Sequence, residues 1–383
     1  LDVVRTDMEV NIPTTKTVEI DAKLTLTPLI PSLGSVRLSL VNQFGNISWR
    51  DKSRPITVTS VTDGAGQPVP YIHKRDELLI RPPKPIAKGE SYVLEIKAKE
   101  DTIVQVTPES YVVYNTYPWF PQYGYVGGRY AFDFKVAIQK PLIPVGSGHV
   151  VKRAENKETK MNEVELRMDD PVQFPSILFG RFLEEAGTYQ STISNKSMAF
   201  TVHAFPTMTV TIDDREVLEE LGEDHPITVT LTVPAGKMKG VLEESQSIVK
   251  FYENLYGPFP YDDLHVAQMY PGSGYGQAPP SLVQLDGLSF RSQAETESDF
   301  LHEFLSHEIG HQYWGHCVGW ANDNDVWLSE SFAEYSAGLY VQALSGERRF
   351  QQKVNEWKQR AREGDPQAPI ALANLLSGDN AGR

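Results

Sequence analysis

The sequence predicts a multidomain protein, with an all-β sandwich over residues 1–205 followed by an α+β domain over 206–383. Three observations carry that expectation. At 383 residues the chain is long for a single hydrophobic core. As far as about Phe205, apolar residues recur at every second position, which is the period of half-buried strands. Beyond Phe205 the spacing turns helical, and a His-Glu-x-x-His run stands at 307–311.

Taken in order, Val18, Ile20, Ala22, Leu24 and Leu26 alternate with Glu19, Asp21, Lys23 and Thr25. The same alternation recurs over 56–61, 92–97 and 130–138. Asp63-Gly64-Ala65-Gly66, Arg81-Pro82-Pro83 and Lys88-Gly89 lie between these runs as turns, the punctuation of an antiparallel sandwich. The aromatic-rich stretch from Tyr111 to Tyr130 is expected to pack at a seam between the domains. Ile227 to Val233 reads as a strand. Val241, Ser245, Ile248, Tyr252 and Leu255 form a buried helical stripe that Gly257-Pro258 stops, and Leu264 to Met269 reads as a further strand. Thr296-x-x-Asp299 is a candidate capping box for the next helix. A helix from Glu330 to about Gly346 and one more, marked by Phe350, Val354 and Trp357, complete the pattern.

The chemistry is concentrated at 307–334. Residues four apart on a helix lie one above the other, so His307 and His311 can present two imidazoles to one metal ion. Glu308, one step round the helix, can reach a water on that metal and serve as its general base. A catalytic zinc takes three protein ligands and leaves one position open. Glu330, near the start of the following helical pattern, is the expected third ligand. Another zinc-peptidase pattern would need glycine and histidine where Trp314 and Cys317 stand. Two imidazoles favour zinc over magnesium or calcium, which prefer all-oxygen sites. Glu334 falls one turn after Glu330 on the same face and is suited to bond a ligand histidine. His302 and His316 are expected to be ordinary surface or core histidines.

Residues 307–311 together with Trp327-Leu328-Ser329-Glu330-Ser331-Phe332-Ala333, eighteen residues further on, resemble the gluzincin metallopeptidases of the alanyl aminopeptidase and leukotriene hydrolase family. Ser329 and Ser331 replace that family's Asn and Gly. The resemblance implies an N-terminal β domain, a thermolysin-like catalytic domain and one Zn2+ per chain. It also implies peptide-bond hydrolysis by water activated at Glu308, with aminopeptidase-like specificity. A non-catalytic zinc-containing scaffold or protein-binding module is the alternative, but a scaffold has no use for Glu308. The family's amine-recognition loop, Gly-Ala-Met-Glu-Asn, has its counterpart at Gly274-Tyr275-Gly276-Gln277-Ala278, with Gln277 in place of the glutamate. A neutral amide lacks the charge that strengthens a hydrogen bond to an ammonium. The family's glutamate seven residues after the ligand is Ala337 here. Its transition-state tyrosine falls beyond Arg383, so the chain is expected to be part of a longer protein whose C-terminal domain packs on it.

Composition narrows the partners. With 36 Lys+Arg against 50 Asp+Glu and a net charge of −14, the chain lacks the basic surface that nucleic acid requires. No apolar run is long enough for a transmembrane helix. The single cysteine, Cys317, precludes an intrachain disulfide and is expected to pack behind the zinc helix. No targeting segment is visible, and the compartment is left open.

Overall fold

Alternation in the sequence becomes a seven-stranded sheet in the structure, a computed structural model that describes residues 1–14, 17–40, 56–74, 76–100, 104–105, 110–112, 119–123, 128–212, 225–269, 276–287, 295–321 and 325–364. Its strands are β1 (Asp2–Thr14), β2 (Thr17–Thr27), β3 (Thr57–Asp63), β4 (Tyr92–Glu100), β5 (Tyr130–Gln139), β6 (His149–Asn156) and β7 (Met161–Val172). They lie in the order β6-β7-β5-β1-β2-β4-β3. The register places Val10 opposite Ile20 and Val136, and Met8 opposite Ala22 and Phe134, so one face is continuously apolar. Because the side-chain period is two, the other face is charged. It carries cross-strand pairs such as Lys97 with Asp21 at 2.8 Å and Arg167 with Asp133 at 2.8 Å. The sheet departs from the wholly antiparallel expectation at one place. With β2 filling one edge of β1, β5 returns along the other edge and pairs with it in parallel.

The turn at 63–66 forms as its composition requires, with the Asp63 carboxylate accepting from the backbone N–H of Ala65 and Gln67. The described part of the aromatic stretch packs inside this first unit. Phe120 meets Phe134 edge-on at 5.8 Å, and Trp119 meets Phe120 at 4.9 Å. Residues 113–118 and 124–127 of that stretch lie outside the described residues.

Contacts divide the chain into a first unit of Leu1–Phe182 with Phe205–Leu231 and a second of Leu183–Ala204 with Thr232–Arg383. A single boundary at 205 therefore becomes three crossings. The reason lies in strands β8 (Leu183–Gln190) and β9 (Ser197–Ala204), a hairpin whose partner comes much later in the chain. β9 pairs in parallel with β10 (Asp263–Gln268), and β10 in parallel with β11 (Leu282–Leu285). Every residue of β10, an inner strand of this four-stranded sheet, and of β11, its last strand, is buried.

Helix α1 (Lys237–Tyr256) buries Val241, Leu242, Ser245, Ile248, Val249, Tyr252 and Glu253 and ends at Gly257 with φ 97°. The expected stripe is correct except for Leu255, which is exposed. Leu242, Val249 and Glu253 shift the buried face away from its side of the helix. Glu253 ties the hairpin to this unit by accepting from Tyr189 Oη and Ser191 Oγ, both at 2.8 Å. Helix α2 (Glu295–Gly310) begins one residue before Thr296, so Thr296 is not its cap. Helix α3 (Val326–Gly364) is broken at Gly346, φ 81° and ψ 176°, into the two helical runs that the sequence anticipates. Among the described residues no helix is long and apolar enough to cross a membrane.

Candidate metal centre

Small residues bring α2 and α3 together. A Cβ on Gly310 would lie 3.3 Å from the Cα of Ala333, so the glycine between the two histidines lets the helices approach one turn from Glu330. From the other side, the buried Tyr252 hydroxyl of α1 donates to the Ser306 carbonyl at 2.9 Å, and Tyr313 donates to the Gly257 carbonyl at 3.1 Å. Both bonds anchor the end of α2 that carries the motif.

There His307, His311 and Glu330 converge. The two Nε2 atoms are 3.1 Å apart, and each lies 3.5 Å from Glu330 Oε2. These three atoms belong to the single group of three or more His, Cys, Asp or Glu side chains with metal-ligand spacing among the described residues. Tetrahedral ligands at the usual zinc bond lengths sit about 3.3 Å from one another, and the observed triangle has that size. The tautomers agree as well. His307 Nδ1 faces Glu334 Oε2 at 3.2 Å and His311 Nδ1 faces the Trp314 carbonyl at 3.1 Å. With His311 Nδ1 engaged by that carbonyl and a carboxylate oxygen beside His307 Nδ1, each Nε2 lone pair is left for a metal. Glu330 is 59% exposed, so the triangle is open to solvent on its side.

Charge within the site follows from this geometry. Burial opposes a charge on His307, but Glu330 and Glu334 outweigh it and push its pKa up to about 10. His311 is also raised, because Glu330 overcomes burial and the repulsion of His307. Burial works to raise Glu330, yet the two imidazoles hold it well below the usual carboxylate range. Glu334 is depressed likewise against burial, by His307, Lys353 and Trp357. A field that holds protons on imidazoles also favours a divalent cation in their place.

Glu308 is 5% exposed, and burial raises its carboxyl against the lowering effect of both histidines. It packs on Gly276, where a Cβ would come within 2.3 Å of the Glu308 Oε1. No other residue fits at 276 without moving the carboxylate. The segment bearing Gly276 runs alongside β11. Gln277 exchanges both backbone hydrogen bonds with Gln284, at 2.9 and 2.7 Å. Gln312, fully buried, receives the Ser281 N–H on Oε1 at 2.8 Å and donates from Nε2 to the Pro279 carbonyl at 3.2 Å. His316 binds the Ala278 carbonyl.

His307, Glu308, His311, Glu330 and Glu334 are thus brought together as the spacing predicts. Gly276 and Gln277 border Glu308 and β11 respectively, while Gly274 and Tyr275 lie outside the described residues. His302 and His316 stand apart from the triangle. Cys317 corrects the packing expectation: it is exposed, because the turn after His311 carries it outward. Sequence reasoning missed Gln312 and His316 as clamps on 278–281, and it missed Glu303, Lys353 and Trp357 around Glu334. An amide following the motif was the one signal for Gln312. The others meet across 19 to 50 positions of chain and leave none.

Residues 242–368 match the family described as peptidase family M1 domain. Among curated proteins, a probable aminopeptidase 1 of Saccharolobus solfataricus is 25% identical over 144 residues, covering 35% of this chain and 18% of the relative. Tricorn protease-interacting factor F2 of Thermoplasma acidophilum is 29% identical over 118 residues, covering 28% of this chain and 14% of the relative. The matched stretches are thus well under two thirds of those relatives' lengths. Among solved structures, a variant of the M1 zinc metallopeptidase from Deinococcus radiodurans bound to a Tyr-Ser-Ala substrate superposes with a TM-score of 0.69 at 16% identity. That match covers 94% of this chain and 75% of the other. The likeness extends the shared two-domain fold over nearly the whole chain.

Proposed function

We propose, from the premise that residues 242–368 belong to the M1 peptidase family, that this chain carries the catalytic centre of a zinc-dependent, aminopeptidase-like peptide hydrolase. The observation that carries the reading is the triangle of His307, His311 and Glu330 donor atoms with the buried Glu308 beside it. Zinc held there by His307, His311 and Glu330 would supply Lewis acidity toward water and the peptide carbonyl. Glu308 takes the proton of the attacking water and returns it to the departing amine, a task for which a carboxyl raised by burial is suited. Glu334 and the Trp314 carbonyl hold the two imidazoles in the tautomer that ligates.

The segment that carries Gly276 and Gln277 takes the substrate backbone and its free amino terminus in this reading. Gln277 accepts a hydrogen bond from the ammonium without forming an ion pair, so discrimination against blocked peptides is weak. The decisive experiment compares wild type with Glu308→Gln for zinc content and peptide hydrolysis. The variant is expected to keep about one zinc per chain and to lose on the order of 10²-fold or more in kcat. Undiminished turnover would remove Glu308 from its role. Absence of zinc from the wild-type protein after reconstitution would remove the site.

A further inference from the structure

We propose that Lys353 and Trp357, on the run of α3 beyond Gly346, are positioning residues that clamp the Glu334 carboxylate on His307 and thereby set how tightly the site retains its metal. The inference rests on the metal-site reading above. Lys353 is only 6% exposed, yet its ammonium is not a stray charge. Its Nζ lies 3.1 Å from Glu334 Oε1 and 2.8 Å from Glu303 Oε2, and the other Glu303 oxygen accepts from Arg349 at 2.6 Å. The Trp357 indole N–H donates to the same Glu334 Oε1 at 2.7 Å. Oε1 is therefore committed to an ammonium and an indole, and Oε2 is the oxygen left to face His307 Nδ1.

This division of labour has a mechanical meaning. The terminal torsion of a glutamate is broad, so a half-exposed carboxylate turns readily toward water. Anchored at one oxygen by two donors, Glu334 presents a fixed acceptor that keeps the proton on His307 Nδ1 and the lone pair on Nε2. A buried ammonium that served packing alone would be replaced by an apolar side chain without loss, since burying ions is costly. The indole reaches its place through a second adaptation. A Cβ at Gly338 would fall 2.6 Å from the Trp357 ring, so the absence of a side chain one turn after Glu334 lets the ring lie against α3.

The test measures zinc affinity by chelator competition in the full-length protein for wild type, K353M, W357F, E334Q and the double variant K353M/E334Q. K353M and W357F are each expected to weaken zinc retention by about tenfold or more, the scale seen when a partner of a ligand histidine is removed. K353R should recover part of that loss. The discriminating readout is coupling: in the E334Q background, K353M should add little, because the carboxylate it anchors is gone. An equal loss in both backgrounds, or unchanged affinity in both K353M and W357F, would overturn the clamp and leave the metal site standing. If K353M fails to fold, W357F with and without E334Q carries the same comparison. Wild-type protein that binds no zinc would instead overturn the site reading and this inference together.

Discussion

At Glu308 burial and charge act in opposite senses, and the space around the carboxylate is set by a residue with no side chain. Gly276→Ala places a methyl where the carboxylate now sits, so the expected result is a base displaced by an ångström or so. Misplacement on that scale costs about 10²-fold in kcat. Zinc content should be unchanged, which separates this effect from loss of the metal. His307 makes a second prediction at this scale. Its pKa rises from 6.5 to about 10 in the metal-free protein, so the imidazolium adds stability that is full below 6.5 and is lost as pH climbs through about 10. Zinc must expel that proton. Near pH 8, titration calorimetry in buffers of different ionisation heat should register release of about one proton per zinc, with affinity rising as pH rises. No release would mean that His307 is neutral before the metal arrives. For Gln277, a preference of less than about tenfold for free over N-acetylated peptides is expected, equivalent to less than about 1.4 kcal/mol. Gln277→Glu should widen it, and a strong preference unchanged by that substitution would show that another acid anchors the amine.

Between elements, Gln312 joins the end of α2 to the segment that leads into β11. Gln312→Ala leaves the buried Ser281 N–H without its acceptor, which is expected to destabilise the protein by about 1–3 kcal/mol in denaturant titrations. KM for peptides should rise with it, since 276–281 loses a clamp. An unaltered midpoint and KM would show that the amide is passive. This scale also separates what the sequence discloses from what it hides. His307 and His311 are legible because four residues of helix is a local geometry, and Glu330 because it opens the next helical pattern. β2 and β5 are legible because each has one dry face. Lys353 reads as one more polar residue on a helix, since its meeting with Glu303 is made across 50 positions. The hairpin β8–β9 reads as two more strands of the first domain. Alternation records that a strand has a buried face and says nothing about which sheet supplies its neighbours.

At the scale of the whole molecule, the chain crosses between its two units three times. A piece covering 206–383 would lack β8 and β9, leaving β10 with an open edge and Glu253 without Tyr189 and Ser191. Such a piece is expected to lack a cooperative thermal transition and a dispersed amide spectrum, and a sharp melt from it would show that the second unit closes without the hairpin. The order of these crossings also bears on synthesis. Ser197–Ala204 is translated 59 residues before its partner strand begins at Asp263. At bacterial to eukaryotic translation speeds that gap lasts about 3–12 seconds. For those seconds a two-stranded ribbon, marginally stable by itself, stands with one edge unclaimed. Phe205–Leu231, meanwhile, turns back to the first unit. The nascent chain thus passes through a period in which a strand of its second unit has been made and the strand that pairs with it has not.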